Sequence, residues 1–413
     1  MARPRTLAVQ VGDVRVANIE RHRWNDLRCR YTPDAFERWP QNTPLLSCAL
    51  PLAPGPLQAT AFCRGLLSEG AALAAMAARA GVATDDTFGL LARYGRDVAG
   101  AMVIFDAESG LPPRRPGIER YSDDELADTV LTLEDNPLGI EDDSELSLAG
   151  IQNKLLLVRD GKRWARPTGG WPSTHILKID SPYHPGLVEA EHACMRLAAA
   201  AGLHVAETEL EQIGGRRCLI VKRFDRRSNG SATERIHQED ACQALGVDAS
   251  AAKGKGKYEH SGGPRLQQIA SLLDAFAGGG LEQMNELLIA TVFNLLVGNA
   301  DAHGKNMSLL HEPLGTTRLS PMYDVVPTVL WPALRTNAAM SVGGQLDIHT
   351  ITRADVLREA SGWGIPESLV ADTVDQTCGR VVASLNEIAG WQSHLLEPLI
   401  EQVQAASHRL TAE

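Results

Sequence analysis

Alternation of apolar and polar positions dominates the front of the chain, and a helical spacing of apolar positions dominates its back. Residues 7–11 and 14–17 alternate around Gly12-Asp13, which predicts a hairpin with a tight turn. Residues 45–52 read as another strand, and 59–80 carry apolar residues at helical spacing. A helix opens at Asp85, with Asp86 and Thr87 at its N-terminus, and residues 100–105 form a short buried strand. The three prolines and three arginines of residues 107–120 suit a linker, and a helix over 123–133 follows. Residues 154–158 form a strand that Asp160-Gly161 turns back. Residues 175–180 alternate so that Lys178 faces away from Leu177 and Ile179; a helix over 186–200 and a strand over 219–224 come next. Beyond Asp225 the pattern turns helical: 238–245, 266–276, 281–297, 355–359, 369–388 and 393–410, with a flexible basic loop at 251–257 and a turn at 261–264.

Composition narrows the class. With 413 residues the chain exceeds one core, so two or three domains are expected. No run of about 18 apolar residues predicts a membrane span, and the basic N-terminus lacks the apolar stretch of a signal peptide. Seven scattered cysteines without C-x-x-C pairs fit free thiols in a reducing cytoplasm better than disulfides or zinc. The net charge of −11 argues against bulk non-specific nucleic-acid binding, with a local basic patch left open.

The candidate chemistry centres on residues 298–306. Asp301 and Asn306 stand five positions apart in a polar loop behind an apolar helix, and Asp324 follows eighteen residues later. Kinases need an acid to receive the hydroxyl proton, an Asn at this spacing and a second acid to hold Mg²⁺. Upstream, 147–154 form a small-residue turn entering a strand, which can lay backbone N–H groups over phosphates. Lys178 inside a strand and Glu191 in the following helix occupy the places of the kinase lysine–glutamate ion pair, and the strand ending at 222–225 occupies that of the hinge beside adenine. Each feature has a plainer reading: a hairpin with one glycine, an edge-strand lysine, a surface glutamate, a solvated strand end, an Asx turn. Their order along the chain is the kinase order, and that raises phosphoryl transfer above the plainer readings. The expected fold class is α+β and kinase-like, with two lobes. Residues 1–106 form an extra mixed α/β subdomain, 107–225 a β-rich part with the phosphate-covering loop, and 226–413 an all-helical lobe with the catalytic loop.

The chain also resembles the HipA-type serine/threonine kinases, toxins of type II toxin–antitoxin systems. The resembling stretches are 94–101, 147–154, 172–178, 221–226, 238–240, Tyr258 with 262–264, 299–306 and 320–324, which together span nearly the whole sequence. The resemblance implies that Asp301 is the catalytic base and that Asn306 and Asp324 hold Mg²⁺. It implies that ATP is bound by Ala149, Gly150, Ile151, Gln152, Asn153 and Lys154 over the phosphates and by Lys178. Lys222, Arg223, Phe224 and Asp225 then lie at adenine, with Lys305 and Tyr323 also at the nucleotide. Ser147 matches the family's autophosphorylated serine. His303, in a D-x-H-x-x-N loop shared with phosphoinositide kinases, is either catalytic or a hydrogen-bonded loop histidine. The implied partners are a HipB-like helix-turn-helix antitoxin, operator DNA through that antitoxin, and a protein substrate of the aminoacyl-tRNA synthetase kind. Two alternatives stay open: a kinase for a small molecule or lipid, and a non-catalytic partner that assists a repressor on DNA.

Overall fold

Alternation around Gly12, whose φ of 59° suits glycine, produces β1 (Thr6–Val11) and β2 (Val14–Arg23) as expected. The computed structural model describes residues 6–108, 116–134, 154–180, 184–229, 232–312, 315–334 and 336–412. With β3 (Asp26–Tyr31), α1 (Pro33–Arg38), β4 (Leu57–Gln58), α2 (Thr60–Gly65), α3 (Gly70–Ala80), α4 (Thr87–Tyr94) and β5 (Met102–Asp106), these strands build an antiparallel sheet in the order β4-β3-β2-β1-β5. Its core is formed by Leu7, Ile19, Leu27, Phe62, Met76, Phe88 and Tyr94. Asp86 caps α4 by accepting from Gly89 N at 2.9 Å.

Two expectations fail in this unit. Residues 45–52 are not a strand: Leu45, Leu46, Leu50 and Leu52 are buried from successive turns, held by short-range bonds such as Leu50 N to Ser47 O and by distant partners, with Cys48 N donating to Glu239 Oε1 at 2.8 Å and Leu46 O 2.9 Å from His237 Nε2. Residues 59–80 are two helices, because the chain breaks before Gly70, where φ is 59°.

The next unit is a six-stranded antiparallel sheet. Its elements are β6 (Gly117–Arg120), α5 (Asp123–Leu131), β7 (Lys154–Asp160), β8 (Arg163–Thr168), β9 (His175–Ile179), α6 (Leu187–Ala200), β10 (Thr208–Ile213) and β11 (Arg216–Lys222), in the strand order β10-β11-β9-β7-β8-β6. Residues 117–120, expected as linker, are the edge strand beside β8. Leu155, Leu157, Leu177, Ile179 and Ile220 pack on one face with α5 residues Leu126 and Val130. Alternation therefore turns Lys154 and Lys178, paired in register, to the other face, over α6.

The remainder is helical with small sheets inserted. After the hairpin β12 (Arg226–Asn229) and β13 (Ala232–Arg235) come β14 (Gln238–Asp240), α7 (Ala241–Ala244) and the single turn α8 (Ala251–Gly254). Then follow α9 (Leu266–Phe276), α10 (Gly280–Val297), β15 (Ser308–His311), β16 (Thr317–Leu319), β17 (Asn337–Val342), β18 (Gln345–Asp347), α11 (Arg353–Ser361), α12 (Glu367–Ala383) and α13 (Leu396–Thr411). This part is thus not all-helical. Sheets β14-β15-β16 and β17-β18 lie among the helices, and their strands are too short for periodicity to reveal. Residues 238–240 are accordingly strand, with the helix starting only at Ala241. The apolar α10 is buried along most of its length between α9, α12 and α13, and it delivers its C-terminus to the candidate site. Gly298 ends it at φ 74°; a Cβ there would meet Val329 Cγ2 at 2.3 Å.

Candidate catalytic cleft

The six-stranded sheet and the helical part meet at Lys178. Its Nζ lies 2.8 and 3.0 Å from the two carboxylate oxygens of Glu191 on α6, and 2.7 Å from Asp324 Oδ1. Glu191 is 1 % exposed and Lys178 10 %, whereas Asp324 keeps 39 % of its side chain open to the cleft. Burial works against the Lys178 charge, but Asp324 and then Glu191 outweigh it and hold the ammonium above the ordinary lysine range. At Asp324 the same cation acts across a single contact. Burial opposes the ionisation of Asp324, yet Lys178, with help from His303 and Lys154, brings it down to about 2. Burial pushes Glu191 up to about 7 against the pull of Lys178. Asp324 adopts φ 59°, a left-handed conformation that costs a non-glycine residue energy and that Asp tolerates better than most.

The loop after α10 is held by its own polar groups. Asp301 N donates to Asn299 Oδ1 at 3.1 Å, Asn299 Nδ2 to Asn294 Oδ1 at 2.7 Å, and Ala300 N to Thr328 Oγ1 at 2.9 Å. Asn306 donates its amide nitrogen to Asp301 O at 3.2 Å. Asp301 Oδ1 accepts from the hydroxyl of Tyr258 at 2.9 Å. His303 is buried, with no hydrogen-bond partner for its Nδ1 among the described residues, and its ring meets Tyr258 edge-on at 5.3 Å. Burial, then Lys257, push it down to about 3, so its imidazole is neutral at neutral pH.

Other residues singled out in the sequence distribute unevenly. Lys154 is buried beside this group, and burial with Lys178 brings it down to about 7. The Tyr323 hydroxyl bridges Ser308 Oγ at 2.6 Å and Lys305 O at 2.7 Å, and its ring lies 5.3 Å from that of Phe224. Lys305 points into the wall of the cleft: Nζ donates to Asp240 Oδ2 at 2.8 Å and Gly65 O at 3.2 Å. At the hinge strand the charged side chains are engaged by other protein groups. Lys222 pairs with Glu207 at the surface. Arg223 and Asp225 pair with each other at 2.8 Å within a buried network that also holds Arg226, Arg235, Ser173 and Asp97. Ser147, Ala149, Gly150, Ile151, Gln152 and Asn153 lie outside the described residues.

Sequence reasoning assigned no role to four residues that matter here: Tyr258, Asp240, Glu69 and Asp97. Asp97, Asp240 and Tyr258 stand in stretches that carried the family resemblance, so a signal existed for them. Glu69 lies outside those stretches and acts through long-range pairing with Lys257, for which the sequence holds no periodic mark.

The donors present suit a hard divalent cation such as Mg²⁺. Asp324 offers a carboxylate, and Asn306 spends its amide nitrogen inside the loop, keeping its oxygen as the atom a cation would use. Among the described residues no group of three or more His, Cys, Asp or Glu assembles into a metal site. Mg²⁺ is ordinarily held by one or two protein oxygens together with substrate phosphates and water.

A β-sheet carrying a Lys–Glu pair, closed over a helical part that presents an Asp–x4–Asn loop and a second acid, defines the class of two-lobed kinases. Residues 7–105 match the HipA N-terminal domain and residues 146–385 the HipA-like C-terminal domain. The chain is 36 % identical to Y4mE of Sinorhizobium fredii over 402 residues, covering 90 % of each chain. It is 30 % identical over 400 residues to the serine/threonine-protein kinase toxin HipA of Shewanella oneidensis, covering 94 % of this chain and 90 % of that one. Its fold superposes with a TM-score of 0.81 on a solved chain of the Shewanella oneidensis complex of HipA, HipB and operator DNA, at 27 % identity and covering 98 % and 96 % of the two chains. The chain belongs to the HipA family of kinase toxins. Among its described residues no helix is long and apolar enough to cross a membrane.

Proposed function

We propose that this chain is an ATP- and Mg²⁺-dependent serine/threonine protein kinase of the HipA toxin type, acting in the cytoplasm between a β-rich lobe ending near residue 225 and a helical lobe beyond it. The observation that carries the reading is the bridge of Lys178 to both Glu191 and Asp324, with His303 of the Asp301 loop near enough to act on the Asp324 charge. Lys178, held charged, is positioned for nucleotide phosphates, with Lys154 beside it and residues 149–153 covering them. Asp301 receives the proton of the acceptor hydroxyl, and the fixed loop keeps its carboxylate in place. Asn306 and Asp324 hold the cation, which when bound screens the charge on the transferring phosphate. His303, neutral, serves as a hydrogen-bonding group and not as a cation. Adenine lies at Phe224, with the side chains of Arg223 and Asp225 committed elsewhere. Ser147 is the autophosphorylation site, and modifying it adds about −1.5 to −2 charges next to the phosphates.

A HipB-like helix-turn-helix antitoxin and, through it, operator DNA are the proposed partners, and an aminoacyl-tRNA synthetase or another translation component the acceptor. The test is phosphate incorporation from labelled ATP into lysate proteins and into the chain itself, set against a panel of small hydroxyl compounds. Asp301→Ala should lower transfer by about 10²–10⁴-fold while ATP still binds. Near-parental transfer by that variant, or transfer confined to small compounds, would sink the assignment. Peptide mass mapping after incubation with Mg-ATP checks Ser147.

A further inference from the structure

Tyr258 precedes a turn that the helical part presses onto the catalytic loop. Gly263 N donates to Tyr258 O at 2.9 Å, and Gly304 N to Lys257 O at 3.3 Å. The packing is tight enough to demand glycine twice. A Cβ on Gly263 would lie 2.6 Å from Lys257 C, and one on Gly304 2.5 Å from Pro264 Cγ. The Tyr258 ring is set between His303, at 5.3 Å, and His260, at 5.7 Å. The preceding Lys257 is buried and pairs at 3.0 Å with Glu69, a residue of the N-terminal unit. Tyr258 is thus fixed on its backbone, its ring and its neighbour, and this fixed hydroxyl donates to Asp301 Oδ1 at 2.9 Å.

We infer that Tyr258 is a positioning residue for the catalytic base: its hydroxyl holds the Asp301 carboxylate in the orientation from which Asp301 meets the acceptor hydroxyl. The inference rests on Asp301 being the base. Removing the phenolic donor takes away one constraint on the carboxylate's terminal torsion, which is broad for Asp. A geometry lost in this way lowers the chemical rate and leaves nucleotide binding alone. A hydrogen bond to a charged group corresponds to a rate change of about 10- to 100-fold.

The experiment compares Tyr258→Phe, Asp301→Ala and the double variant in full-length protein, reading phosphate transfer from labelled ATP to lysate proteins as a function of Mg-ATP. ATP affinity is followed by calorimetry and folding by thermal unfolding. The expected result is a maximal rate about 10- to 100-fold lower for Tyr258→Phe, with the apparent KM for Mg-ATP, the ATP affinity and the unfolding midpoint unchanged. In the Asp301→Ala background the same substitution should cost nothing further, because the group it orients is gone. A parental or faster rate for Tyr258→Phe overturns the inference. So does an equal loss in both backgrounds, which would place the effect of Tyr258 elsewhere. Near-parental transfer by Asp301→Ala instead overturns the assignment of the base itself, so the two failures are distinct.

Discussion

Lys154 gives the kinase reading a proton-counting test. It is buried opposite Lys178 in the β7–β9 register, and burial followed by repulsion from Lys178 brings it down to about 7. An unfolded lysine titrates at about 10.4, so between pH 7 and that value the unfolded chain binds more protons than the folded one, and the stability contributed by this group rises with pH. At pH 8 about a tenth of the folded molecules carry the proton on Lys154. A phosphate charge arriving about 4 Å away, at an effective dielectric of about 20, favours the ammonium by about 4 kcal/mol, or about 3 pKa units. Lys154 would then be almost fully protonated, and nucleotide binding should take up about 0.8–0.9 proton at pH 8. By the same linkage, ATP affinity falls as pH rises above 7. Calorimetric titration of ATP in Tris and in HEPES, whose ionisation enthalpies differ, counts the protons directly. Lys154→Met should remove the uptake. An enthalpy independent of buffer in the parent, or an equal uptake in Lys154→Met, would refute the reasoning, because Lys154 would then not be near the phosphates.

Two further substitutions test the ends of the cleft. Asp324→Ala should weaken nucleotide binding most in the presence of Mg²⁺, whereas Asp324→Asn, which tolerates the observed φ of 59°, should keep the fold and still lose the Mg²⁺ dependence; equal Mg-ATP affinity in parent and variants would make Asp324 a turn residue only. Asp97→Ala should cost about 3–5 kcal/mol in chemical unfolding, because it leaves Arg226 and Arg235 buried without their shared carboxylate. Burial opposes the Asp97 charge but Arg235, Arg226 and Arg223 hold it at about 2, so its contribution is present above pH 4 and should be lost as the pH falls toward 2; an unchanged acid-unfolding profile in Asp97→Ala would refute this.

The sequence reading succeeded where signals were periodic or were spaced along one segment. The apolar face of α9, the uniformly apolar α10 and the alternation of β9 all left marks in the chain, and alternation alone placed Lys178 on the face opposite Leu177. It failed where structure is decided at long range. Residues 45–52 have a strand's composition but are buried by turns, and β14 to β18 are only three to six residues long. The stretch 251–257 read as a flexible basic loop, yet Lys257 is buried on Glu69, 188 positions away. The pairing of the charged hinge residues left no mark in the sequence for a related reason. Charge at a strand end reads as solvated or ligand-facing, and nothing local in the sequence says that Arg223 and Asp225 neutralise each other in the interior.

Those same long-range pairs bear on what the N-terminal unit is for. Its Asp97 accepts from Arg226 and Arg235, its Val98 carbonyl accepts from Arg223 and Arg226, and its Gly100 N donates to Asp225. The network gathers three arginines against two carboxylates in a site shielded from water. Removing the N-terminal unit would leave Arg223 and Arg226 facing Asp225 alone, at the desolvation cost of an uncompensated buried charge. Glu69 meanwhile reaches Lys257, which precedes the tyrosine that holds Asp301. The N-terminal unit therefore contacts both the strand end where the lobes join and the segment whose tyrosine donates to Asp301. A sequence boundary near residue 106 divides the chain by composition, but the buried charges do not respect it. The part that looks like an accessory subdomain is built into the geometry on which phosphate transfer would depend.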